Sequence, residues 1–476
     1  MGEQPLRPRR VTALDLHGEH GLRSAIFLRG KGFAERATIL TAQKFHLGWF
    51  LQGSSVQAWN ERWTGNIDQE WMDVELFCDI ARALERAGFD YVLIEDSSYV
   101  GESYNDSMEI YLAKALSTPR QDPIITGALM TQATSRIGIV PTVGTYQMHP
   151  YQLARTMGTL DQVSRGRIGW NMVTGSSDPA ARNFGLEGMP AHDHRYDVAD
   201  EYMDATNALW ASWEPDAIVA DRERGVLADA SKVHHVDFQG EYFTTHGPLN
   251  SGPLPQGRPV IAQAGGSPRG REFAARHADT VVAGVRSVEA MREFREDIRA
   301  RMERIGRKPD DCKVLFLVSP ILADTKEDAL RRQQRQMDDV VTRLDERLAT
   351  FGKTTNINFA QYDLDAPVGE LTTNGHQQSL DQFLAGAQGK TLREAAIAHF
   401  QRRSAFDLTG SPSEVADTMG ELMDAVGGDG FLITLSDTSR KSVAEIADGL
   451  VPELQRRGLT RTSYTYDQFR DNLLEF

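Results

Sequence analysis

The chain has 476 residues, 40% of them hydrophobic and 25% charged, and its 52 basic against 67 acidic side chains leave a formal net charge of −15. That balance excludes a disordered chain or a coiled coil and argues against nucleic acid as a partner, because counterion release requires a basic surface. Cys78 and Cys312 are too few and too far apart for a disulfide framework or a metal cluster, and neither an apolar membrane span nor a signal-peptide core is found, so a reduced, cytoplasmic setting is expected.

In chain order, residues 1–43 show no periodicity and are set apart as an N-terminal extension, with a basic run at Arg7, Arg9 and Arg10 read as a solvated tail. Residues 45–51 read as a buried strand. Over 70–86, Trp71, Val74, Phe77, Cys78, Ala81 and Leu84 fall on one helical face, and Gly88 stands where a left-handed cap is wanted. The apolar run 91–94, ending at Glu95 and Asp96, completes a βαβ beginning. Helices are then expected at 124–134, 151–163, 199–213, 269–277, 288–305 and 413–425. Strands are expected at 137–141, 167–171, 260–263, 280–283, 314–320 and 431–435. Eight strands separated mostly by helices predict a parallel α/β sheet. Eight such units suggest a closed (β/α)8 TIM barrel over 44–465, with insertions at about 214–256 after strand 4 and about 325–410 after strand 7, and a tail at 466–476. An open doubly wound sheet is the alternative.

In a barrel, function sits at the carboxyl ends of the strands. The residues expected there are 52–55, Asp96, Thr142, Asn171 with Thr174, 265–267, Gly284, Ser319, Ser436 and Asp437. Such a rim of small, polar and glycine residues suits a flat polar cofactor with a phosphate tail. Ala264-Gly265-Gly266-Ser267-Pro268-Arg269-Gly270 joins a strand to a helix and reads either as a phosphate cradle or as a plain connecting turn. It is neither a Walker loop nor a dinucleotide fingerprint. His192-Asp193-His194-Arg195-Tyr196, just ahead of a helix, reads as a surface helix entry or as a cofactor contact. No further ligand arrives to make it a metal site. His234-His235 reads as an exposed loop pair, and Asp96 as either a structural acceptor or a rim residue. Neither a serine-hydrolase elbow nor a zinc helix occurs.

Several runs then point the same way. They are Ala87-Gly88-Phe89-Asp90 through Glu95-Asp96, Pro150-Tyr151-Gln152-Leu153-Ala154-Arg155, Leu160 through Thr174 with its Trp170-Asn171-Met172-Val173-Thr174, and Ala181-Arg182-Asn183-Phe184-Gly185. His192 through Tyr196, Gly247-Pro248-Leu249, Pro259 through Gly265 and Val451 through Gly458 follow in order. On these runs the chain resembles the flavin-dependent, bacterial-luciferase-like monooxygenases. Within them it is similar to the group holding nitrilotriacetate, EDTA, dibenzothiophene-sulfone, dimethyl-sulfide and long-chain alkane monooxygenases. The resemblance implies the closed barrel and FMN, used as FMNH2 delivered by a separate NAD(P)H:flavin reductase. It implies flavin contacts at Asp96 and Thr142 near the isoalloxazine ring, and at His192, Tyr196 and Ser267 nearer the ribityl phosphate. Asn171 and Gly266 are added as further cofactor contacts.

The resemblance also implies that O2 is activated as a C4a-(hydro)peroxyflavin and used to oxygenate a small organic or xenobiotic substrate. A homodimer or homotetramer is expected. Where the family spells Val-Thr-Ser, this chain has Val173-Thr174-Gly175-Ser176, with the lost hydroxyl recovered at Ser176 or Ser177. The family's Thr-x-Ser-Thr reads Thr142-Val143-Gly144-Thr145, and a cysteine and histidine of the alkane-oxidising relative match Ser54 and Gln57. His46, Trp49, Phe50, Trp59 and Trp63 are the candidate substrate wall. An aromatic wall favours an aromatic, organosulfur or chlorinated substrate. The insert 325–410, with Gly369, Gly375, Gly386 and Gly389 as hinge points, is the candidate lid. A deazaflavin-dependent hydride-transfer enzyme on the same barrel and a catalytically silent flavin binder are the alternatives.

Overall fold

The computed structural model describes residues 43–52, 73–401, 406–435 and 438–476. Short runs of apolar residues form eight strands: β1 (His46–Leu51), β2 (Tyr91–Ile94), β3 (Gly138–Gly144), β4 (Gly169–Val173), β5 (Val260–Gln263), β6 (Thr280–Ala283), β7 (Lys313–Val318) and β8 (Gly430–Ile433). Each pairs in parallel with the next, and β8 pairs with β1, so the sheet closes into a barrel. Alternation along each strand sorts the side chains. Leu47, Trp49 and Leu51 point outward into the layer shared with the helices, whereas Tyr91, Leu93, Val140, Val260, Leu315 and Leu432 fill the barrel interior.

The helices that cover the barrel are α1 (Val74–Ala87), α2 (Pro123–Ala133), α3 (Pro150–Ser164), α4 (His192–Trp210), α5 (Pro268–His277), α6 (Val288–Arg304) and, after the inserted helices, α11 (Pro412–Val426). Gly88 ends α1 with φ 84° and donates its N–H to the last carbonyls, as its position in the sequence suggested. Two expectations shift. β4 runs two residues later than the apolar run implied, which places Asn171 inside the strand. α4 starts at His192 rather than near Ala199, because Arg195 and Tyr196 extend the buried face of Ala199, Tyr202 and Met203 at helical spacing while Asp193 and His194 face solvent. Between α4 and β5 lie two antiparallel ribbons, Ile218–Asp221 with Val226–Ala228 and Phe238–Gln239 with Thr244–Thr245. Between β7 and β8 lie α7 (Lys326–Thr342), α8 (Leu344–Thr355), α9 (Gln377–Ala385) and α10 (Leu392–Phe400). The last three gather a small core of their own from Leu348, Phe351, Phe359, Leu380, Phe383 and Ala396. Among the described residues no helix is long and apolar enough to cross a membrane.

The amino-terminal end of the barrel is tied by a repeated device. Asp90, Asp279 and Asp429 each precede an even-numbered strand, and each accepts from the amide of the second residue of the strand before it: Leu47 at 2.9 Å, Ile261 at 2.8 Å and Val314 at 2.9 Å. Each also meets an arginine: Arg461 for Asp90, Arg258 and Arg470 for Asp279, Arg295 for Asp429. Residues expected as a tail fill this end instead. Phe469 and Leu473 enter the barrel interior from α12 (Phe469–Leu473), and the Phe476 carbonyl bonds to His46 Nε2 at 2.9 Å. His46 is thereby corrected from substrate wall to structural pair: its Nδ1 lies 2.8 Å from Asp90, at the end of the barrel opposite the rim.

Burial alone would raise the Asp279 carboxyl, but Arg258 and Arg470 outweigh it and hold it below the usual 3.8. Its contribution is therefore present above that value and lost as pH falls past it. Asp279→Asn is expected to cost about 2 kcal/mol at pH 7, near the low end for a broken buried pair because both arginines keep solvent contact. Urea unfolding should show that gap at pH 7 and a narrowing gap below pH 3.8. An unchanged midpoint at pH 7 would remove Asp279 from the clamp.

Candidate active site

At the opposite end, two residues short of their strand ends, Thr142 and Asn171 stand in register across β3 and β4. Thr142 Oγ1 donates to the Ile94 carbonyl at 2.6 Å and accepts from Asn171 Nδ2 at 2.8 Å. The chain thus links β2, β3 and β4 with neutral groups. Asn171 Oδ1 is buried and has no partner among the described residues. An acceptor left so costs about 1–3 kcal/mol unless a ligand or water supplies a donor.

Past β5 the backbone turns sharply into α5. A Cβ on Gly265 would stand 2.8 Å from Gly270 Cα, and one on Gly270 would stand 2.8 Å from Tyr196 Oη, so only glycine lets turn, helix and Tyr196 pack this closely. Gln263 holds the turn, accepting from the Gly265 amide at 2.7 Å. Ser267 caps α5, its Oγ accepting from Gly270 N at 3.0 Å and lying 3.4 Å from His192 Nε2. His192 opens α4, with its Nδ1 2.7 Å from Asp193 and its ring edge-on to Tyr196 at 5.3 Å. Tyr196 is buried, which pushes its phenol up. Two helix starts therefore meet here, each offering main-chain N–H groups and the positive end of a helix dipole, an arrangement suited to an anion.

Asp96 lies just beyond β2. Burial is the main reason its carboxyl is pushed up to about 6. Glu95 and Asp122 add to the rise, and Arg120 opposes it. Arg120 is itself ion-paired with Glu95. A cavity of about 350 Å³ joins Asp96 to Tyr196, Gly266 and Ser267, and Ser176 and Ser177 also line it beside Gly175. Its far wall comes from the inserted helices, through Thr350 and Lys353 of α8 and His376 to Gln378 at the start of α9. A larger cavity of about 500 Å³ opens near Gly284, Ser319 and α7, but it lacks the glycine turn and the paired helix starts.

The structure thus gathers Asp96, His192, Tyr196, Ser267 and Gly266 around one cavity, with Thr142 and Asn171 in the interior layer beneath the rim. Of the described members of the expected aromatic wall, His46 and Trp49 do not reach this cavity. Trp49 packs outward, edge-on to Phe89 at 6.0 Å, because alternation turns it toward the helices, while Phe50 packs against the barrel interior. Ser54, Gln57, Trp59, Trp63, Ser436 and Asp437 lie outside the described residues. Lys353, His376 and Gln378 were missed, since nothing local marks a residue of a distant insert as a rim residue. Arg195, by contrast, stood inside a motif already singled out. Among the described residues no group of His, Cys, Asp or Glu is placed to hold a metal ion.

Residues 53–429 match the family model of the luciferase-like monooxygenases. The chain is 33% identical over 440 residues to dibenzothiophene-sulfone monooxygenase of Rhodococcus erythropolis strain XP, spanning 90% of this chain and 96% of that one. It is 31% identical over 442 residues to nitrilotriacetate monooxygenase component A of Aminobacter aminovorans, with the same coverage. A solved structure of a riboflavin lyase holding modified FMN and its substrate riboflavin superposes with a TM-score of 0.81 at 32% identity, over 91% of this chain and 96% of that one.

Because the folded-state acidity of Asp96 is weakened, the carboxylate destabilises the protein once pH exceeds its usual 3.8, and the cost is fully present above about 6. Asp96→Asn is expected to stabilise the cofactor-free protein by roughly 1–2 kcal/mol at pH 8 and to leave it unchanged at pH 4. Thermal unfolding at the two pH values checks this, and equal midpoints at pH 8 would count against it.

Proposed function

Since the chain belongs to the luciferase-like monooxygenase family of flavin-dependent oxygenases, we propose that it is the oxygenase component of a two-component system, taking reduced FMN from a separate NAD(P)H:flavin reductase. When bound, reduced FMN supplies the two electrons that activate O2, so that one oxygen atom enters a small organic substrate and the other leaves as water. The observation that carries this reading is the meeting of the glycine turn, the two helix starts, His192 and Ser267 in the same cavity as Asp96.

The residues fit the group. The first turn of α5 with Ser267, His192 and Tyr196 would hold the phosphate end, and the turn 265–266 lets main chain approach it without side chains in the way. Asp96, Thr142 and Asn171 would serve the ring end, where the unpartnered Asn171 Oδ1 offers an acceptor. The ring end is reached through neutral or weakly acidic groups, which suits a uracil-like ring edge better than a cation. The inserted helices would keep water from the reacting atoms, and the Gln378 side chain already packs directly on Gly266, where a Cβ would find no room. His46 and Trp49 turn away from the rim, which leaves Phe50 as the described member of the aromatic wall.

Anaerobic titration with reduced FMN, followed by reductase-coupled oxygen uptake, tests the reading. Tight reduced-FMN binding and substrate-dependent oxygen consumption are expected. Ser267→Ala should weaken reduced FMN by about 1–2 kcal/mol, roughly 5- to 30-fold, through loss of one hydroxyl contact. Selective binding of a deazaflavin with no oxygen uptake would overturn the proposal in favour of hydride transfer.

A further inference from the structure

The cavity holds two buried cations that the cofactor-binding residues named above do not include. Arg195, 5% exposed, donates to the Pro190 carbonyl at 2.7 Å, and its Nε has no partner. It stands in the first turns of α4, between His192 and Tyr196, where a cofactor phosphate would neutralise it. Lys353 is the other. It reaches the cavity from α8 of the insert and is 8% exposed. Its Nζ donates to Ser97 Oγ at 2.9 Å and lies 4.8 Å from the centre of the Tyr99 ring. The Tyr99 hydroxyl in turn donates to the Lys353 carbonyl at 3.0 Å, so main chain and side chain are both anchored.

An ammonium carries three donors, and among the described residues Lys353 has one hydroxyl as hydrogen-bond acceptor and no ion-pair partner. Neither of the nearest acids makes an ion pair with it among the described residues. Glu95 is taken by Arg120, and Asp96 is itself shifted toward the neutral form. Burial first, and then Arg120, push the Lys353 ammonium down to about 8, against a smaller pull from Glu95 and Asp96. Keeping a charge buried without a counter-ion is costly, and the cost is tolerated where a ligand brings the missing charge.

Resting on the flavin reading above, we infer that Lys353 is a specificity-determining residue that binds an oxyanion group of the substrate, so the substrate is an organic acid bearing a carboxylate or a sulfur oxyanion. Ser97 and Tyr99 orient the ammonium, and the insert that carries it sets substrate choice. The anionic handle would anchor the molecule at the Asp96 end of the cavity, leaving the rest of it to face the flavin.

The test uses the full-length chain saturated with FMN and two isosteric probe pairs, benzoate with benzamide and benzenesulfonate with benzenesulfonamide, followed by isothermal titration. In the wild type at least one anion should bind on the order of tenfold more tightly than its neutral partner, the scale of a charge-assisted hydrogen bond. Lys353→Met should erase that preference and Lys353→Arg should retain it, with the FMN dissociation constant unchanged in both. Equal binding of both members of each pair to the wild type overturns the inference without any variant. So does a preference that survives in Lys353→Met, or a loss of FMN affinity there, which would assign Lys353 to the cofactor. Failure of the wild type to bind reduced FMN in the anaerobic titration would instead sink the flavin reading and this one with it.

Discussion

Closure of the eight-stranded ring is the constraint on which everything else rests. A parallel strand has its chemistry at one end only, and closing the sheet brings all eight such ends to a single rim. The register that closes it is held from the other end, where Asp90, Asp279 and Asp429 each bridge a strand start to the amide of its neighbour and to an arginine. The C-terminal helix fills that mouth with Phe469 and Leu473. Stability and function are thus assigned to opposite ends of the same strands, with the buried ion pairs at the base holding the register.

The rim divides its labour by origin. The barrel itself contributes neutral hydrogen-bonding groups, close backbone approach and helix starts: Thr142, Asn171, the turn 265–267 and Ser267. These are suited to a flat polar cofactor shared by a family whose named members act on very different molecules, among them dibenzothiophene sulfone and nitrilotriacetate. The inserted helices contribute Lys353 and the residues from His376 to Gln378, and they do so on a small hydrophobic core of their own. An element with its own core can change its rim-facing side chains without disturbing barrel packing.

Burial at the rim also explains why Asp96 and Lys353 are shifted. Asp96 is driven toward its neutral form and Lys353 toward its own, both chiefly by burial, across the same cavity. Each loses solvation that its protein partners return only in part. Binding of a polar cofactor and an anionic substrate would restore it, which couples occupancy of the site to the stability of its walls.

Much of this was legible in the chain alone. Strand and helix existence follow from local patterning: apolar runs such as 91–94 and 280–283, helical spacing over 74–87, and Gly88 at a left-handed cap. The glycine turn at 265–270 and the candidate cofactor residues Asp96, His192, Tyr196 and Ser267 followed from position after a strand or within a motif and from family resemblance, and the fold brings them to one cavity. What patterning misjudged was orientation and distance. The aromatic run Phe45–Phe50 contains Trp49 and His46, but which face a strand residue takes, and which end of the barrel it occupies, depends on closure and on the clamp at Asp90. Residues 466–476 looked like a tail because their partners, Tyr91, Gly138 and Asp279, are hundreds of positions away. Lys353 was invisible for the same reason. A lysine in a polar helix is ordinarily solvated, and only the docking of α8 beside Ser97 and Tyr99 buries its charge. The sequence by itself determined the elements, the barrel and the cofactor class, because these rest on local periodicity and short motifs. Tertiary structure alone decided which side chains lost their water, because desolvation depends on neighbours brought together through space.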